Sequence, residues 1–264
     1  MGNAADGGDA SLLRIETRGA VLTVGLNRPA KRNALNDGII LALRDCFSTI
    51  PDDVGAVVIH GVGDHFSSGL DLSELTERDA TEGLVHSQMW HRVFDRIQYC
   101  RVPVIAALKG AVIGGGLELA CAAHIRVAEP SAYFALPEGQ RGIFVGGGGS
   151  VRLPRLIGVP RMADMMLTGR VYSATEGAAY GFSQYLTGQD GALPKALELA
   201  ERVAANAPLT NFAVLQALPM IAEANPQTGL LMESLMATVA QSDKEAKKRI
   251  RAFLDRKTAK VKPT

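Results

Sequence analysis

The chain lacks paired cysteines, a charge excess and long apolar runs, and each absence excludes a class of protein. Its three cysteines (Cys46, Cys100 and Cys121) form no CxxC pair, so neither a disulfide framework nor a zinc site is predicted. The formal net charge is only +1, which argues against the broad basic surface that nucleic acids require. We therefore expect no nucleic-acid partner and no bound metal.

Membrane and export signals are also missing. No uninterrupted apolar run approaches the roughly 20 residues of a membrane span, so no membrane association is expected. Residues 1–11 are small and polar, without the basic and apolar parts of a signal peptide, and this segment is predicted to be a flexible tail. With reduced thiols as the default reading of the cysteines, a cytoplasmic location is predicted.

Strand and helix patterns alternate through the first part of the chain, and helical patterns fill the rest. Short apolar runs predict strands at 12–16, 21–26, 56–60, 102–108, 125–128 and 133–135. Helical patterns begin behind a predicted N-cap at Asn36 and recur at 81–100, 116–123, 161–167, 174–180, 193–205, 211–223 and 230–256. This order predicts an α/β core domain over 12–200 and a C-terminal helical region over 201–264.

Glycine is plentiful, with 28 residues, and two glycine-rich turns stand where a predicted strand leads into a helix. The first is HFSSGLDL at 65–72 and the second is GAVIGGGLE at 110–118. Free backbone N–H groups at a helix start attract negative charge, so two such turns side by side could hold one oxyanion. Ordinary tight turns explain the pattern equally well. A phosphate-binding loop is less favoured, since neither turn has its Gly-Lys-Ser/Thr ending or GxGxxG spacing.

Two glutamates follow these features in apolar surroundings. Glu118 lies one helical turn beyond Gly115, and Glu138 follows the predicted strand 133–135. Two carboxyl groups that share an apolar site push their pKa values apart, which provides one acid and one base. Spacing alone favours structural roles instead, namely a helix-end ion pair or a cap on the turn 139–142.

Taken in order, these segments resemble the crotonase (enoyl-CoA hydratase/isomerase) superfamily over about 12–260. The resemblance is carried by NRP at 27–29, KRNALN at 31–36, FSSGLDL at 66–72, PVIAA at 103–107, GGGLELA at 114–120, PE at 137–138, Gly142, GGG at 147–149 and LTG at 167–169. It implies a spiral of ββα turns with a C-terminal helical trimerisation region, assembled as a homotrimer or a dimer of trimers. The implied substrate is an acyl-CoA thioester, with no separate cofactor.

The resemblance also implies roles for individual residues. Glu118 would activate a water, Glu138 would supply a proton to the α-carbon, and the backbone N–H groups of Ser68 and Gly115 would form the oxyanion hole. The implied CoA-binding residues are Lys31, Arg32, Ala34, Ser68, Gly69, Leu70, Asp71 and Gly115. Ser73 stands where a lysine is frequent in the family, so Lys31 or Arg32 would replace that phosphate contact. Phe253 and Arg256 would reach the CoA of a neighbouring subunit, unless 252–257 is simply a solvated basic tail.

The reaction implied is syn addition of water to a trans-2-enoyl-CoA, giving a 3-hydroxyacyl-CoA. Three alternatives stay open: a Δ3,Δ2-enoyl-CoA isomerase, a hydratase-lyase acting on an aryl or sulfur-bearing acyl-CoA, and a non-catalytic RNA-binding protein of the same fold. We expect the acyl pocket to be lined by Leu70, Leu72, 76–93 and 143–146.

Overall fold

The chain opens with two antiparallel strands and then adds parallel strands through helical crossovers. A computed structural model describes residues 11–74 and 77–255. The strands are β1 Leu13–Arg18, β2 Val21–Leu26, β3 Ala56–Gly61, β4 Val104–Leu108, β5 Ala111–Ile113, β6 Ile125–Ala128, β7 Tyr133–Ala135, β8 Tyr172–Ser173 and β9 Tyr185–Leu186. The helices are α1 Asp37–Ser48, α2 Ala80–Gln98, α3 Gly115–Ala122, α4 Gly149–Ile157, α5 Val159–Thr168, α6 Ala174–Tyr180, α7 Ala192–Ala204, α8 Pro208–Phe212, α9 Leu218–Glu223, α10 Pro226–Ser242 and α11 Lys244–Leu254.

Two sheets share the strands. The larger sheet has the order β1-β2-β3-β4-β6-β9, and the smaller has the order β5-β7-β8. The chain passes from β4 to β5 and from β6 to β7, so each passage leaves the larger sheet and enters the smaller one. A helix, α3, follows the first passage before the chain returns to the larger sheet at β6. This is the ββα spiral predicted from the resemblance.

Both faces of the larger sheet are covered, which explains the continuous apolar runs of β2, β3 and β4. Val57 and Ile59 belong to the main core with side chains of α1 and α2. Val58 and Ile105 point to the other face and pack against α7. Because α7 runs to Ala204, the predicted boundary at 200 falls inside a helix that packs on the sheet. The C-terminal helical region therefore begins at α8.

The C-terminal helices differ from the prediction in two places. The single helix predicted over 230–256 is wrong, because the chain breaks at Asp243 between α10 and α11. The Asp243 carboxylate accepts the N–H groups of Glu245 and Ala246 and so caps a new helix. The helix predicted over 211–223 is interrupted by a π-helical turn at Ala213–Ala217, just before Pro219, which has no N–H to donate. Within the described residues, no helix combines the length and apolarity needed to cross a membrane.

Candidate active site

The second glycine-rich turn leads directly into α3 and carries Glu118 into the interior. Gly114 precedes the helix with φ of +52°, a conformation that favours glycine, and a Cβ there would lie 2.7 Å from Glu138 Oε1. Every residue of α3 is buried, and Glu118 in its first turn is only 4% exposed. The same turn thus brings the two glutamates to one place, as the resemblance implied.

Glu118 is held by backbone N–H groups of a glycine run on a different segment. Its Oε1 accepts the N–H of Gly147 at 2.9 Å and that of Gly149 at 2.7 Å. Burial raises the pKa of Glu118, while these two N–H groups and the charge of Arg152 act in the opposite direction. The hydrogen bonds fix one carboxyl oxygen and therefore the orientation of the side chain.

The glycine run is itself tied to α2. Arg152 donates from Nη1 to the carbonyl of Gly147 at 3.0 Å, from Nε to Gln98 Oε1 at 2.5 Å and from Nη2 to Asp95 Oδ1 at 2.5 Å. Ser87 Oγ donates to the carbonyl of Gly146 at 2.7 Å. Sequence reasoning missed this brace. The available signal was a single arginine between Val151 and Leu153, directly after the glycine run.

Glu138 is placed by the end of β7 and the short 3-10 turn Gly139–Arg141. It is 7% exposed, and its Oε2 is buried without a hydrogen-bond partner among the described residues. Burial, with a smaller contribution from the charge of the neighbouring Glu118, raises the pKa of Glu138 to about 7. A carboxyl group with this pKa can donate or accept a proton near neutral pH.

Both glutamates face one cavity of about 430 Å³. Its lining residues are Leu70, Arg78, Gly83, His86, Ser87, Trp90, Gly115, Glu118, Glu138, Ile143, Phe144, Val145, Gly146 and Gly147. Leu70 and parts of the predicted pocket segments 76–93 and 143–146 line this cavity. Leu72 is the exception, because it is absent from the lining and its side chain is 43% exposed.

The assignment of Ser68 to the oxyanion hole is wrong. Its backbone N–H donates to the carbonyl of Arg32 at 3.0 Å and is not free for a ligand. The N–H of Leu70 takes part in none of the hydrogen bonds found among residues 11–74 and 77–255. Leu70 N lies 3.6 Å from the position that a Cβ on Gly115 would occupy, and both residues line the cavity. Gly115 opens α3, where N–H groups have no partner within the helix. Leu70 and Gly115 are therefore the donor pair that the geometry favours.

The predicted CoA-binding residues come from two segments that the fold joins. The N–H of Leu35 donates to the carbonyl of Gly69 at 2.7 Å, and the N–H of Asp71 donates to the carbonyl of Leu35 at 2.8 Å. Ala34 is buried beside this junction, while Lys31 is exposed. The structure thus brings 31–36 and 67–72 together.

Asp71 holds this junction electrostatically. Its Oδ2 lies 2.9 Å from Arg28 Nη1 and 3.1 Å from Lys31 Nζ. Ser73 Oγ donates to Oδ1 at 2.6 Å, and Lys31 Nζ also donates to Ser73 Oγ at 2.9 Å. The hydrogen bond from Ser73, followed by those from Lys31 and Arg28, keeps the pKa of Asp71 well below its usual range. Arg32 adjoins the cluster in a left-handed conformation, with φ of 50°.

At the C-terminus, Phe253 lies on α11 and is 61% exposed. Arg256, the other residue predicted to reach a neighbouring subunit, lies outside the described residues. The tail prediction for 1–11 likewise falls almost wholly outside them. No group of three or more metal-ligating side chains occurs in the described part of the chain.

Comparisons with known proteins identify the family of the chain. The family model "Enoyl-CoA hydratase/isomerase" matches residues 16–263. The 2,3-dehydroadipyl-CoA hydratase of Escherichia coli K12 is 34% identical over 256 residues, covering 96% of this chain and 99% of that protein. The short-chain-enoyl-CoA hydratase of Clostridium acetobutylicum is 31% identical, covering 92% and 94%. A crystal structure from Rhodopseudomonas palustris CGA009, provisionally named an enoyl-CoA hydratase, is 81% identical with a TM-score of 0.92, covering 98% and 100%.

The chain belongs to the enoyl-CoA hydratase/isomerase family. It is an enzyme of the hydratase type, as its relatives are, and it has the crotonase fold that the sequence predicted.

Proposed function

We propose that the enzyme adds water in syn fashion to a trans-2-enoyl-CoA and releases a 3-hydroxyacyl-CoA. The observation that supports this most is the pair of buried carboxyl groups, Glu118 and Glu138, facing one cavity beside the N–H groups of Leu70 and Gly115. Hydration of a conjugated thioester needs a base for the water, an acid for the α-carbon and a stabilised oxyanion. The cavity supplies residues for all three roles.

In this mechanism the thioester oxygen accepts the N–H groups of Leu70 and Gly115, which withdraws electron density from the double bond. Glu118, fixed by the glycine run, orients a water and takes its proton as the oxygen attacks the β-carbon. The electron pair moves onto the thioester oxygen to form an enolate. Glu138 then gives a proton to the α-carbon, and the enolate returns to a carbonyl. Each acid–base role is worth about 10² to 10⁴ in rate.

The experiment is a product analysis with matched substrates. The wild-type enzyme is incubated with a trans-2-enoyl-CoA and, separately, with the corresponding 3-enoyl-CoA. Hydration of the first, seen as a gain of one water by mass and loss of enoyl-thioester absorbance, is the expected result. Conversion of the 3-enoyl thioester to the 2-enoyl thioester with no hydration of either would instead identify an isomerase. A hydratase is favoured because isomerisation requires only one carboxylate, whereas this cavity holds two.

We also propose that the 31–36 and 67–72 segments hold the CoA portion, with Lys31 and Arg32 on its phosphates. The position of the two segments supports this proposal, because they meet beside Leu70 at the cavity. Loss of affinity for CoA after Lys31→Ala or Arg32→Ala, measured by calorimetry, is the expected result. Unchanged CoA affinity in both variants would contradict the assignment.

The predicted homotrimer, or dimer of trimers, is the assembly that we propose for solution. Its support is an apolar row on α10, where Leu230, Leu231, Leu235 and Val239 are each at least 45% exposed. Apolar area of this kind favours burial against another chain. Light scattering coupled to size exclusion should give three or six times 28.0 kDa. A monomer at working concentration would contradict the proposal. The cytoplasmic location stays a prediction.

A further inference from the structure

The acyl cavity contains a positively charged side chain that the hydration mechanism does not use. Arg78 lines the 430 Å³ cavity together with both glutamates, and its side chain is only 24% exposed. The surrounding wall from Trp90 and 143–145 is otherwise apolar. A plain hydrocarbon acyl chain would gain nothing from a guanidinium at this place, because burying a charge without a close partner costs free energy.

The partner that Arg78 has is distant and shared. Among the described residues its ion pair is with Asp37, at 3.7 Å between Nη2 and Oδ2. That separation is longer than a close charge-assisted pair such as Arg28–Asp71, at 2.9 Å. The other oxygen of Asp37 lies 2.7 Å from His86 Nε2, and Asp37 is itself half exposed. The Asp37 carboxylate therefore contacts both Arg78 and His86. The Arg78 guanidinium has five N–H donors, more than this one contact uses.

Among the described residues, other carboxylates near Arg78 do not fill this gap. Asp71 lines a small cavity with Arg78 but is paired with Arg28 and Lys31. Glu77 and Glu82 line an outer groove of about 490 Å³ that also touches Arg78 and His86, but neither lines the acyl cavity. Glu82 is further committed to the capping box of α2, where its Oε2 accepts the N–H of Asp79 at 3.0 Å. Among the described residues, the carboxyl groups that line the acyl cavity with Arg78 are those of Glu118 and Glu138.

We propose that Arg78, with His86 beside it, binds an anionic group at the far end of the acyl chain. The substrate class is then an enoyl-CoA that carries a terminal carboxylate. This rests on the proposed function, because the reacting double bond must lie at Glu118 and Glu138 for the acyl chain to occupy the same cavity. A guanidinium presents two parallel N–H groups that match a carboxylate, which makes arginine the suitable residue for this recognition.

The phosphates of CoA offer similar anionic oxygens, so the experiment must separate the two sources. The substrates are trans-2-hexenoyl-CoA and the same thioester with a carboxylate on its terminal carbon, each also prepared as a pantetheine thioester without phosphates. The enzymes are wild type, Arg78→Met, Arg78→Lys and Arg96→Met. Arg96 is an exposed arginine on the same helix α2 that lines no part of the cavity, and it provides the matched control.

The readout is the ratio of kcat/KM for the carboxylated substrate to kcat/KM for the plain one. This ratio does not depend on how much of a variant is folded. We expect wild type and Arg96→Met to favour the carboxylated substrate about 10- to 100-fold, with either carrier. Arg78→Met should reduce the ratio to within about twofold of one. Arg78→Lys should give an intermediate value, because lysine keeps the positive charge but lacks the two parallel N–H groups of the guanidinium.

Two results would overturn the proposal while leaving hydration intact. One is a wild-type ratio near one or below it, with hexenoyl-CoA hydrated normally. The other is an Arg78→Met defect that is equal for both CoA thioesters and absent for both pantetheine thioesters, which would assign Arg78 to the CoA phosphates. Failure of wild type to hydrate any of the four thioesters would instead contradict the proposed function itself.

Discussion

Glu118 and Glu138 face the same cavity but are held in opposite ways. Glu118 Oε1 accepts two backbone N–H groups, whereas Glu138 Oε2 is buried with no partner among the described residues. The first arrangement fixes a carboxylate for orienting a water. The second leaves a carboxyl group whose pKa is raised to about 7 and which can exchange a proton. In the proposed mechanism, the glutamate that orients and deprotonates the water is therefore held more rigidly than the glutamate that protonates the α-carbon.

The two glutamates also differ in how many structural elements position them. Behind Glu118, the glycine run is braced by Arg152 and Ser87 and so connects α3 to α2 and α4. Glu138 depends on the end of β7 and one short turn. Changes at a distance should therefore impair Glu118 more than Glu138. Four predictions test this difference.

The largest effect is expected from removing either carboxylate. Glu118→Gln and Glu138→Gln should each lower kcat for a trans-2-enoyl-CoA by about 10² to 10⁴, because each removes one proton-transfer group. KM should change little, since the amide keeps the shape of the side chain. Steady-state kinetics with crotonyl-CoA measure both. Near-normal turnover in either variant would remove that glutamate from the mechanism.

The next effect concerns the brace behind Glu118. Arg152→Met should lower kcat about 10- to 100-fold, because the carbonyl of Gly147 and the side chains of Asp95 and Gln98 lose their donor. The charge of Arg152 lowers the pKa of Glu118, so the acid limb of the pH–rate profile should move to higher pH.

The matched control is Arg155→Met on the same helix, which breaks an exposed pair with Glu223 and an exposed hydrogen bond to the carbonyl of Val151. A pH profile that stays in place in Arg152→Met would mean that the arginine supports folding alone, since a loss of folded enzyme lowers rates without shifting the profile.

A third prediction isolates Glu138 through stability. Its folded-state pKa of about 7 lies above its ordinary value of 4.5, so folding favours the protonated form. The resulting stabilisation is fully present below about pH 4.5 and is lost as the pH rises through about 7. We expect a loss of about 1–2 kcal/mol, after allowance for the partial exposure of the group.

Urea unfolding at about pH 5 and about pH 8 measures this difference. Glu138→Gln should reduce the loss of stability between the two pH values, although Glu118, whose pKa is also raised, keeps part of it. An unchanged pH dependence in the variant would show that Glu138 titrates normally in the folded enzyme.

The smallest effect is expected at Ser87. Ser87→Ala removes one hydrogen bond to the carbonyl of Gly146, while Arg152 still holds Gly147. We expect kcat to fall about two- to fivefold, in keeping with the loss of one neutral hydrogen bond. Ser68→Ala serves as the comparison and should leave kcat within about twofold, since its backbone N–H keeps its bond to Arg32. A larger loss in Ser68→Ala than in Ser87→Ala would contradict the role given to the hydrogen bond between Ser87 and Gly146.

Residue patterns predicted the fold well because apolar periodicity reports which face of an element is buried. The six predicted strands and most of the predicted helices agree with the structure within a few residues, and Asn36 caps α1 through its side chain. The short strands β5, β8 and β9 were not predicted, and neither were the bounds of the helix α4. The break at Asp243 was missed because the apolar pattern continues across it, and only the backbone reveals that Asp243 starts a new helix.

The sequence predicted the side chains of the site better than its backbone hydrogen-bond donors. Glu118 and Glu138 stood out as carboxyl groups in apolar surroundings, but spacing alone favoured structural roles, and their catalytic roles were implied by the family resemblance. The oxyanion donor was misassigned because a sequence does not reveal which backbone N–H is already bonded, and the carbonyl of Arg32 occupies that of Ser68. Arg152 went unnoticed because its three partners come from two other segments, which only the folded chain brings together.

By composition alone, the run from Gly146 to Gly149 looks like a flexible linker, the kind of segment in which substitutions are usually harmless. A Cβ on Gly147 would lie 2.9 Å from Phe94, and one on Gly149 would lie 2.7 Å from Cγ of Glu118. Gly148 has φ of +91°. Every single-base missense change in a glycine codon introduces a larger side chain. Missense changes at Gly147, Gly148 or Gly149 should therefore disable the enzyme, although none of them alters a glutamate.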